Sequence, residues 1–268
     1  MLKDITLGQY FPGNSLIHKL DPRTKIILMI LYMIIVFLAQ KIWLLIPISA
    51  FVTLALLLSQ VPANYFLRSL KPLRFILIFM FIINLFVIQT GKPIVSFWII
   101  KITDEAVYRA LFISFRLILL VAGSSLIILT TTPISLTDGL ERLLSPLKRI
   151  KFPAHELAMM MTIALRFIPT LIEETDRIMK AQLSRGADFE TGSIIKRAKA
   201  LIPILVPLFV SAFRRADELA LAMESRCYHG GEGRTKMHIL KFARYDLYAV
   251  LCTTALGVIV VLFNQILK

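Results

Sequence analysis

Two short triplets, each centred on an arginine, carry the most specific chemical signal in the sequence. When the chain is shifted by 41 residues, the triplets and the helical segments before them align. We call them the first tip and the second tip, and their residues are Ser184, Arg185, Gly186, Ser225, Arg226 and Cys227. A guanidinium between small neighbours can enter a groove on another protein and bind carboxylates or carbonyl oxygens with its planar fork. The simpler alternative is a cation that stabilises the end of a helix dipole.

Two long helices are expected to carry these tips. The segments 154–185 and 194–226 each begin with an apolar half and continue as an amphipathic half, and a glycine lies near each end, at Gly186 and Gly230. The run Met159-Met160-Met161 in the first segment offers an adaptable contact surface, and it equally fits a helix core. A shorter helix over 135–147 precedes the pair.

The composition requires a lipid environment for much of the remaining chain. Of its 268 residues 57% are hydrophobic, and the mean hydropathy is +0.75. Runs long enough to cross about 30 Å of hydrocarbon predict membrane-spanning helices. The five predicted runs are 26–39, 42–59, 72–89, 106–130 and 246–267. We therefore predict an all-α polytopic membrane protein with about five transmembrane helices and a cytoplasmic domain of long helices.

The distribution of positive charge predicts how this chain is oriented. The short segments before the first run and after the second run contain seven basic residues: Lys3, Lys19, Arg23, Lys25, Arg68, Lys71 and Arg74. The opposite side holds Lys41, Lys92 and Lys101. Because cytoplasmic loops retain Lys and Arg, the amino terminus is predicted inside and the carboxyl terminus outside. The predicted domains are a four-span membrane domain (1–131), a cytoplasmic helical domain (132–245) and a last transmembrane helix (246–268).

Several classes of function are disfavoured by what the sequence lacks. The net charge of +14 suits anionic lipid or an acidic protein partner, and the hydropathy argues against nucleic acid. Gly91-Lys92 precedes Pro93 and lacks the earlier glycine of a phosphate-binding loop, so this chain is not expected to hydrolyse ATP by itself. The four histidines form no zinc-peptidase pattern, and Cys227 and Cys252 have no metal-site spacing. We predict no catalytic, cofactor or metal site.

Two alternative classes were weighed against this prediction. The segment Glu173-Glu174-Thr175-Asp176-Arg177 resembles the paired glutamates of intramembrane CAAX-type proteases, but its arginine falls one position short of that spacing. A stand-alone secondary transporter is disfavoured because five spans show no inverted repeat. Within the fourth run, Arg116 is expected to face a bundle interior and to pair with either another subunit or a backbone carbonyl.

Three further motifs, together with the tips, give the chain a family resemblance over nearly its whole length. The motifs are Leu20-Asp21-Pro22-Arg23-Thr24-Lys25, Ala164-Leu165-Arg166-Phe167-Ile168-Pro169 and Arg215-Ala216-Asp217-Glu218-Leu219-Ala220. With them, the sequence resembles the T component, the transmembrane coupling subunit, of energy-coupling factor (ECF) transporters. In that family the tips carry Ala-Arg-Gly-like triplets. Here both triplets begin with serine, and the second ends in Cys227, where glycine would give the backbone more freedom.

The resemblance implies a non-catalytic subunit of an ATP-driven, ABC-class importer in the cytoplasmic (inner) membrane of a prokaryote. Its two long coupling helices would cross as an X, and their six tip residues would dock into two ABC-type ATPase subunits, which bind and hydrolyse the ATP. A separate membrane subunit, the S component, would bind the substrate, for which the family allows vitamins or transition-metal ions. ATP-driven closure of the ATPases would then move the two helices as levers.

Overall fold

The computed structural model describes residues 10–88, 90–97, 100–189, 193–231 and 240–266. The chain divides into two compact units. Of the described residues, the bundle unit comprises those in 10–140 and 240–266, and the long-helix unit comprises those in 141–231. Each unit has its own secondary structure and packing, and each is described separately.

The bundle unit begins with two apolar helices joined by a short turn. Helix α1 (Pro22–Leu38) starts with proline at its first position, and the Asp21 side chain accepts a hydrogen bond from the Arg23 N–H. Both features favour a helix start, since proline needs no donor there and a carboxylate caps a free N–H. A 3₁₀ turn (Ile42–Leu44) leads into α2 (Leu45–Ser59).

The next part of the bundle unit is bent and contains a small sheet. Helices α3 (Ala63–Leu70) and α4 (Leu73–Val87) meet at an angle of 51°. Pro72 lies at this break, where a residue without an N–H cannot continue the helical ladder. Strands β1 (Pro93–Phe97) and β2 (Ile100–Thr103) form an antiparallel hairpin that the sequence analysis did not predict.

Two long apolar helices complete the bundle unit. Helix α5 (Asp104–Thr130) starts where the Thr103 hydroxyl accepts a hydrogen bond from the Ala106 N–H, and α9 (Arg244–Ile266) is the last helix. The core lies among α1, α2, α5 and α9, and its most buried side chains are Val36, Leu45, Ile48 and Val260. Gly123 lets α5 approach α1 closely, because a Cβ there would lie 2.2 Å from the Tyr32 ring.

These helices confirm the predicted fold class, an all-α polytopic membrane protein. Within the described ranges, four helical segments are long and apolar enough to span a membrane, and a fifth is counted when α3 and α4 are taken as one bent span. The four are Ile42–Ser59, Asp104–Thr130, Ala154–Ser184 and Arg244–Ile266. Helix α1, predicted as the first span, has 17 residues and a length of about 25 Å, at the short end of the spanning range.

The segment Ala154–Ser184 was predicted as a cytoplasmic helix, yet it meets the same length and hydropathy test. Its apolar first half raises the hydropathy, whereas its second half carries the charges of Glu173, Glu174, Asp176, Arg177 and Lys180. Only 6% of its most apolar window is buried within the structure, compared with 22% for α5. Few residues of this helix are therefore fully buried within the described part of the chain.

The long-helix unit is dominated by two helices of equal length. Helix α6 (Pro133–Leu144) contains the boundary between the units, and a 3₁₀ turn (Ser145–Ile150) follows it in place of the predicted helical continuation to 147. Helices α7 (Ala154–Ser184) and α8 (Ile194–Glu224) have 31 residues each and pack against one another. They correspond to the two predicted long helices within two residues at each end.

Candidate docking site at the two helix tips

The first tip ends α7 with a double backbone hydrogen bond. The Gly186 N–H donates to the Leu183 carbonyl at 3.0 Å, and the Ala187 N–H donates to the Gln182 carbonyl at 3.0 Å. Gly186 has a φ of +85°. This pair of bonds with a left-handed residue is the Schellman motif, which satisfies carbonyl groups that a helix end leaves free. Arg185 is the residue immediately before the reversal, and it is exposed.

The second tip ends α8 in the same way. The Cys227 N–H donates to the Glu224 carbonyl at 2.8 Å, and the Tyr228 N–H donates to the Met223 carbonyl at 3.1 Å. Cys227 has a φ of +56° and takes the position that Gly186 has at the first tip. The two arginines therefore occupy equivalent positions of two Schellman motifs, and Arg226 is exposed like Arg185.

The reversal at the second tip occurs at Cys227, three residues before the glycine that sequence analysis placed near this helix end. A left-handed conformation brings Cβ close to the following carbonyl, so a cysteine there costs about 1 kcal/mol relative to glycine. We expect Cys227→Gly to raise the free energy of unfolding by about that amount. The measurement is chemical unfolding of the purified protein in detergent.

The matched control for this prediction is Gly186→Ala. A Cβ at Gly186 would meet no atom within 4 Å, so its cost reflects the backbone conformation alone. We expect this variant to lower the free energy of unfolding by about 1 kcal/mol. Equal stability of the parent chain and Cys227→Gly would contradict the strain at the second tip.

An ion pair joins the two long helices at equivalent positions. The Arg215 guanidinium donates to a Glu174 carboxylate oxygen at 2.7 Å, and both side chains are partly buried. The two residues are 41 positions apart in the sequence. The same shift aligns the first tip with the second tip. Glu174 lies 11 residues before Arg185, and Arg215 lies 11 residues before Arg226. Each tip is therefore about 16 Å along its helix from this pair.

The charge of the repeat is reversed at the point where its two copies meet. Glu173-Glu174 in α7 corresponds to Arg214-Arg215 in α8, although Asp176 and Asp217 keep the same charge. If residues that contact their own repeat equivalents kept the same charge, they would repel each other. The opposite charges allow attraction instead. Sequence analysis missed this pair, but the reversal at the 41-residue spacing is visible in the sequence.

A buried polar network lies at one end of the bundle unit. One Asp246 carboxylate oxygen accepts from the Asp21 N–H at 2.8 Å, and the other accepts from the Ala243 N–H at 2.7 Å. The Lys25 ammonium group donates to the Thr130 carbonyl and to the Thr131 hydroxyl, both at 2.9 Å. These bonds bring together the N-terminal ends of α1 and α9 and the C-terminal end of α5. The motif at 20–25 thus ties three helices together.

We expect Asp246→Asn to destabilise the bundle unit by about 1–3 kcal/mol. An amide offers one acceptor oxygen, whereas this carboxylate accepts from two backbone N–H groups with its two oxygens. Thermal unfolding in detergent measures the effect. Glu105→Gln is a control at a carboxylate of the same unit that pairs with Arg109 at the surface and belongs to neither of these bonds, and an equal effect of both variants would contradict the assignment.

Arg116 pairs with a backbone carbonyl. Its guanidinium donates to the Phe37 carbonyl, which lies in the last turn of α1, and it stacks on the rings of Phe37 and Phe112. The last carbonyls of a helix have no partner within the helix, so Arg116 caps α1 from the middle of α5. Of the two pairings expected for Arg116, the carbonyl is the one this chain provides.

The fold and these features define a polytopic α-helical membrane protein that carries a pair of arginine-tipped helices. A family model described as CbiQ, cobalt transport protein, matches residues 13–238. Two similar proteins are the energy-coupling factor transporter transmembrane proteins EcfT of Ruminiclostridium cellulolyticum (53% identical) and Acidaminococcus fermentans (56% identical). The first match covers 99% of both chains, and the second covers 97% of this chain and 96% of its relative.

A more distant relative is the protein of the same name from Bacillus subtilis, which is 46% identical over 96% of this chain and 97% of its own length. The chain belongs to this family of energy-coupling factor transporter transmembrane proteins. The resemblance drawn from the motifs and tips is confirmed, as is the predicted function as a membrane component of such a transporter. The protease and secondary-transporter alternatives find no support in these matches.

Proposed function

We propose that the two tips dock two ABC-type ATPase subunits, one at each tip, and that these partners bind and hydrolyse the ATP. The observation that carries this proposal is the equivalence of the tips. Both place an exposed arginine at the same position of a Schellman motif and at the same distance from the Glu174–Arg215 pair. Two similar contact points suit two similar partner subunits.

The long helices act as levers that transmit movement of the ATPases to a substrate-binding membrane subunit, the S component. Support comes from the apolar surface that these helices leave uncovered. Met160 and Met161 of α7 and Ile202 and Val206 of α8 are exposed. Because exposed apolar side chains of this kind mark a surface for protein or lipid, the first halves of both helices are available to grip a membrane partner. That partner selects the substrate, a vitamin or a transition-metal ion.

The proposed orientation has the amino terminus and the long-helix unit in the cytoplasm, with the carboxyl terminus outside. It is supported by Lys19, Arg23 and Lys25 at the start of α1 and by the hydrogen bonds that join the N-terminal ends of α1 and α9 to the C-terminal end of α5. The C-terminal end of α9 then lies at the opposite end.

A topology reporter tests this orientation. We expect a reporter fused after Lys268 to report the outside, whereas a reporter inserted at 190–192, between α7 and α8, is expected to report the cytoplasm. A cytoplasmic signal from the carboxyl-terminal fusion would overturn the arrangement.

The native cysteines allow a direct test of docking. Cys227 is exposed at the second tip, and Cys252 is exposed on α9. A short crosslinker that joins a thiol to a lysine is applied to membranes containing the complete transporter. We expect a crosslink to an ATPase that is lost in Cys227→Ser and retained in Cys252→Ser. A crosslink with the opposite dependence would refute docking at this tip.

A further inference from the structure

The second tip borders a groove that extends its positive surface. The groove has a volume of about 790 Å³ and lies between the first half of α7 and the end of α8. Its walls include Met159, Arg166, Met223, Arg226 and Tyr228. Arg166 belongs to the motif at 164–169. No residue of this motif takes part in the tips or in the Glu174–Arg215 pair.

This groove contains two arginines and lacks a carboxylate. Among the described residues that line it, none is aspartate or glutamate. Arg166 and Arg226 are both exposed, and neither guanidinium group has a hydrogen-bond or ion-pair partner within the described part of the chain. Two arginines that share a groove repel each other, and an external anionic partner relieves this repulsion. Apolar side chains beside them, such as Met159, Met223 and Phe167, suit a protein surface better than a free ion.

The first tip lacks the counterparts of these groups. Under the 41-residue shift, Pro207 of α8 corresponds to Arg166 of α7. Asp188, after the first tip, corresponds to His229, after the second tip. Tyr228 is likewise replaced by Ala187. The first tip thus has its central arginine with Asp188 nearby in the sequence, whereas the second tip has Arg166 of the groove beside its central arginine. The two tips share the backbone conformation, the serine and the central arginine, and they differ in the residues around them.

We infer that the second tip and the groove beside it form an extended cationic surface that receives an acidic segment of one ATPase partner, with Arg166 as a second anchor beside Arg226. This inference rests on the proposed docking function and adds an asymmetry to it. The ATPase surface that binds the second tip supplies carboxylates to two guanidinium groups. The ATPase surface that binds the first tip supplies carboxylates to one. The tips are therefore not interchangeable between two different ATPase surfaces.

The test uses two reporter versions of the chain in the complete transporter. The second-tip reporter carries Cys252→Ser and keeps Cys227 as its single thiol. The first-tip reporter carries Cys252→Ser, Cys227→Gly and Ser184→Cys. Arg166→Gln is introduced into both, and crosslinking to the ATPases is measured over a range of ATPase concentrations. Arg177→Gln is the matched control, since Arg177 is an exposed arginine of α7 that does not line the groove.

We expect Arg166→Gln to weaken crosslinking at the second tip about tenfold and to leave the first tip unchanged within about twofold, whereas Arg166→Lys retains most of the signal at both. Arg177→Gln is expected to change neither reporter. Unchanged crosslinking at the second tip, or an equal loss at both tips, would overturn the inference. If Arg226→Gln abolishes the second-tip crosslink and Arg166→Gln does not, docking stands and the second anchor is rejected. Absence of any ATPase crosslink in both parent reporters would reject the docking function and the inference with it.

Discussion

Replacement of both tip arginines by glutamate, Arg185→Glu with Arg226→Glu, is expected to abolish substrate uptake and to separate this chain from its ATPases. Each substitution puts a carboxylate where a partner groove offers carboxylates or carbonyl oxygens, so attraction becomes repulsion at both contact points. Because both guanidinium groups are exposed and bond to no other residue in the described part of the chain, the membrane part is expected to fold normally. Co-purification with the ATPases should fall by more than about tenfold.

The control for this result is Arg177→Glu with Arg197→Glu. These arginines are exposed on α7 and α8 outside the tips, and their replacement changes the net charge by the same amount. We expect the control to retain its ATPases. Normal co-purification of the tip variant would reject the docking assignment. Equal loss in both variants would show that overall charge, rather than the tips, holds the complex together.

Placing a second arginine where the long helices meet is expected to inactivate transport while leaving both tips intact. Glu174→Arg brings two guanidinium groups together at the position where 2.7 Å now separates Arg215 from a carboxylate. The loss of a partly buried pair and the added repulsion are expected to cost about 1–3 kcal/mol, between the values for exposed and buried pairs. Without this ion pair, the packing of α7 against α8 is expected to change. Substrate uptake in cells should then fall severely.

A charge exchange separates this effect from a simple loss of glutamate. Glu174→Arg combined with Arg215→Glu restores opposite charges at the same two positions, so we expect most of the uptake to return. Such a recovery in a double-mutant cycle measures the coupling between the two sites. An exchange variant as inactive as Glu174→Arg alone would show that the pair does not set the arrangement of the helices.

Local sequence patterns were enough to predict most of the helices. Apolar runs of spanning length predicted α2, α5 and α9, and the change from apolar to amphipathic character predicted both long helices. These signals succeed because a helix in lipid satisfies its backbone by itself, so composition and length decide much of its structure. The bend between α3 and α4 was not predicted, because it depends on how Pro72 is accommodated.

The candidate site was predicted from the sequence to a similar degree. The 41-residue repeat identified both tips, since a repeated pattern preserves the residues at equivalent helix positions. The predicted end of the second long helix, Arg226, lies next to the left-handed residue Cys227, whereas Gly230 lies three residues further on. Glycine is the usual residue in this conformation, and the 41-residue shift that aligns Cys227 with Gly186 is the signal that predicts it.

The sequence by itself determined the class of protein, its membrane-spanning helices, the two arginine-centred tips and the family to which the chain belongs. Only the tertiary structure decided that Glu174 forms an ion pair with Arg215, that Asp246 accepts hydrogen bonds from two backbone N–H groups, and that Arg166 lies beside the second tip. Each of these relations joins residues far apart in the chain. Composition and periodicity describe neighbours along one helix, whereas contacts between helices depend on how their surfaces pack.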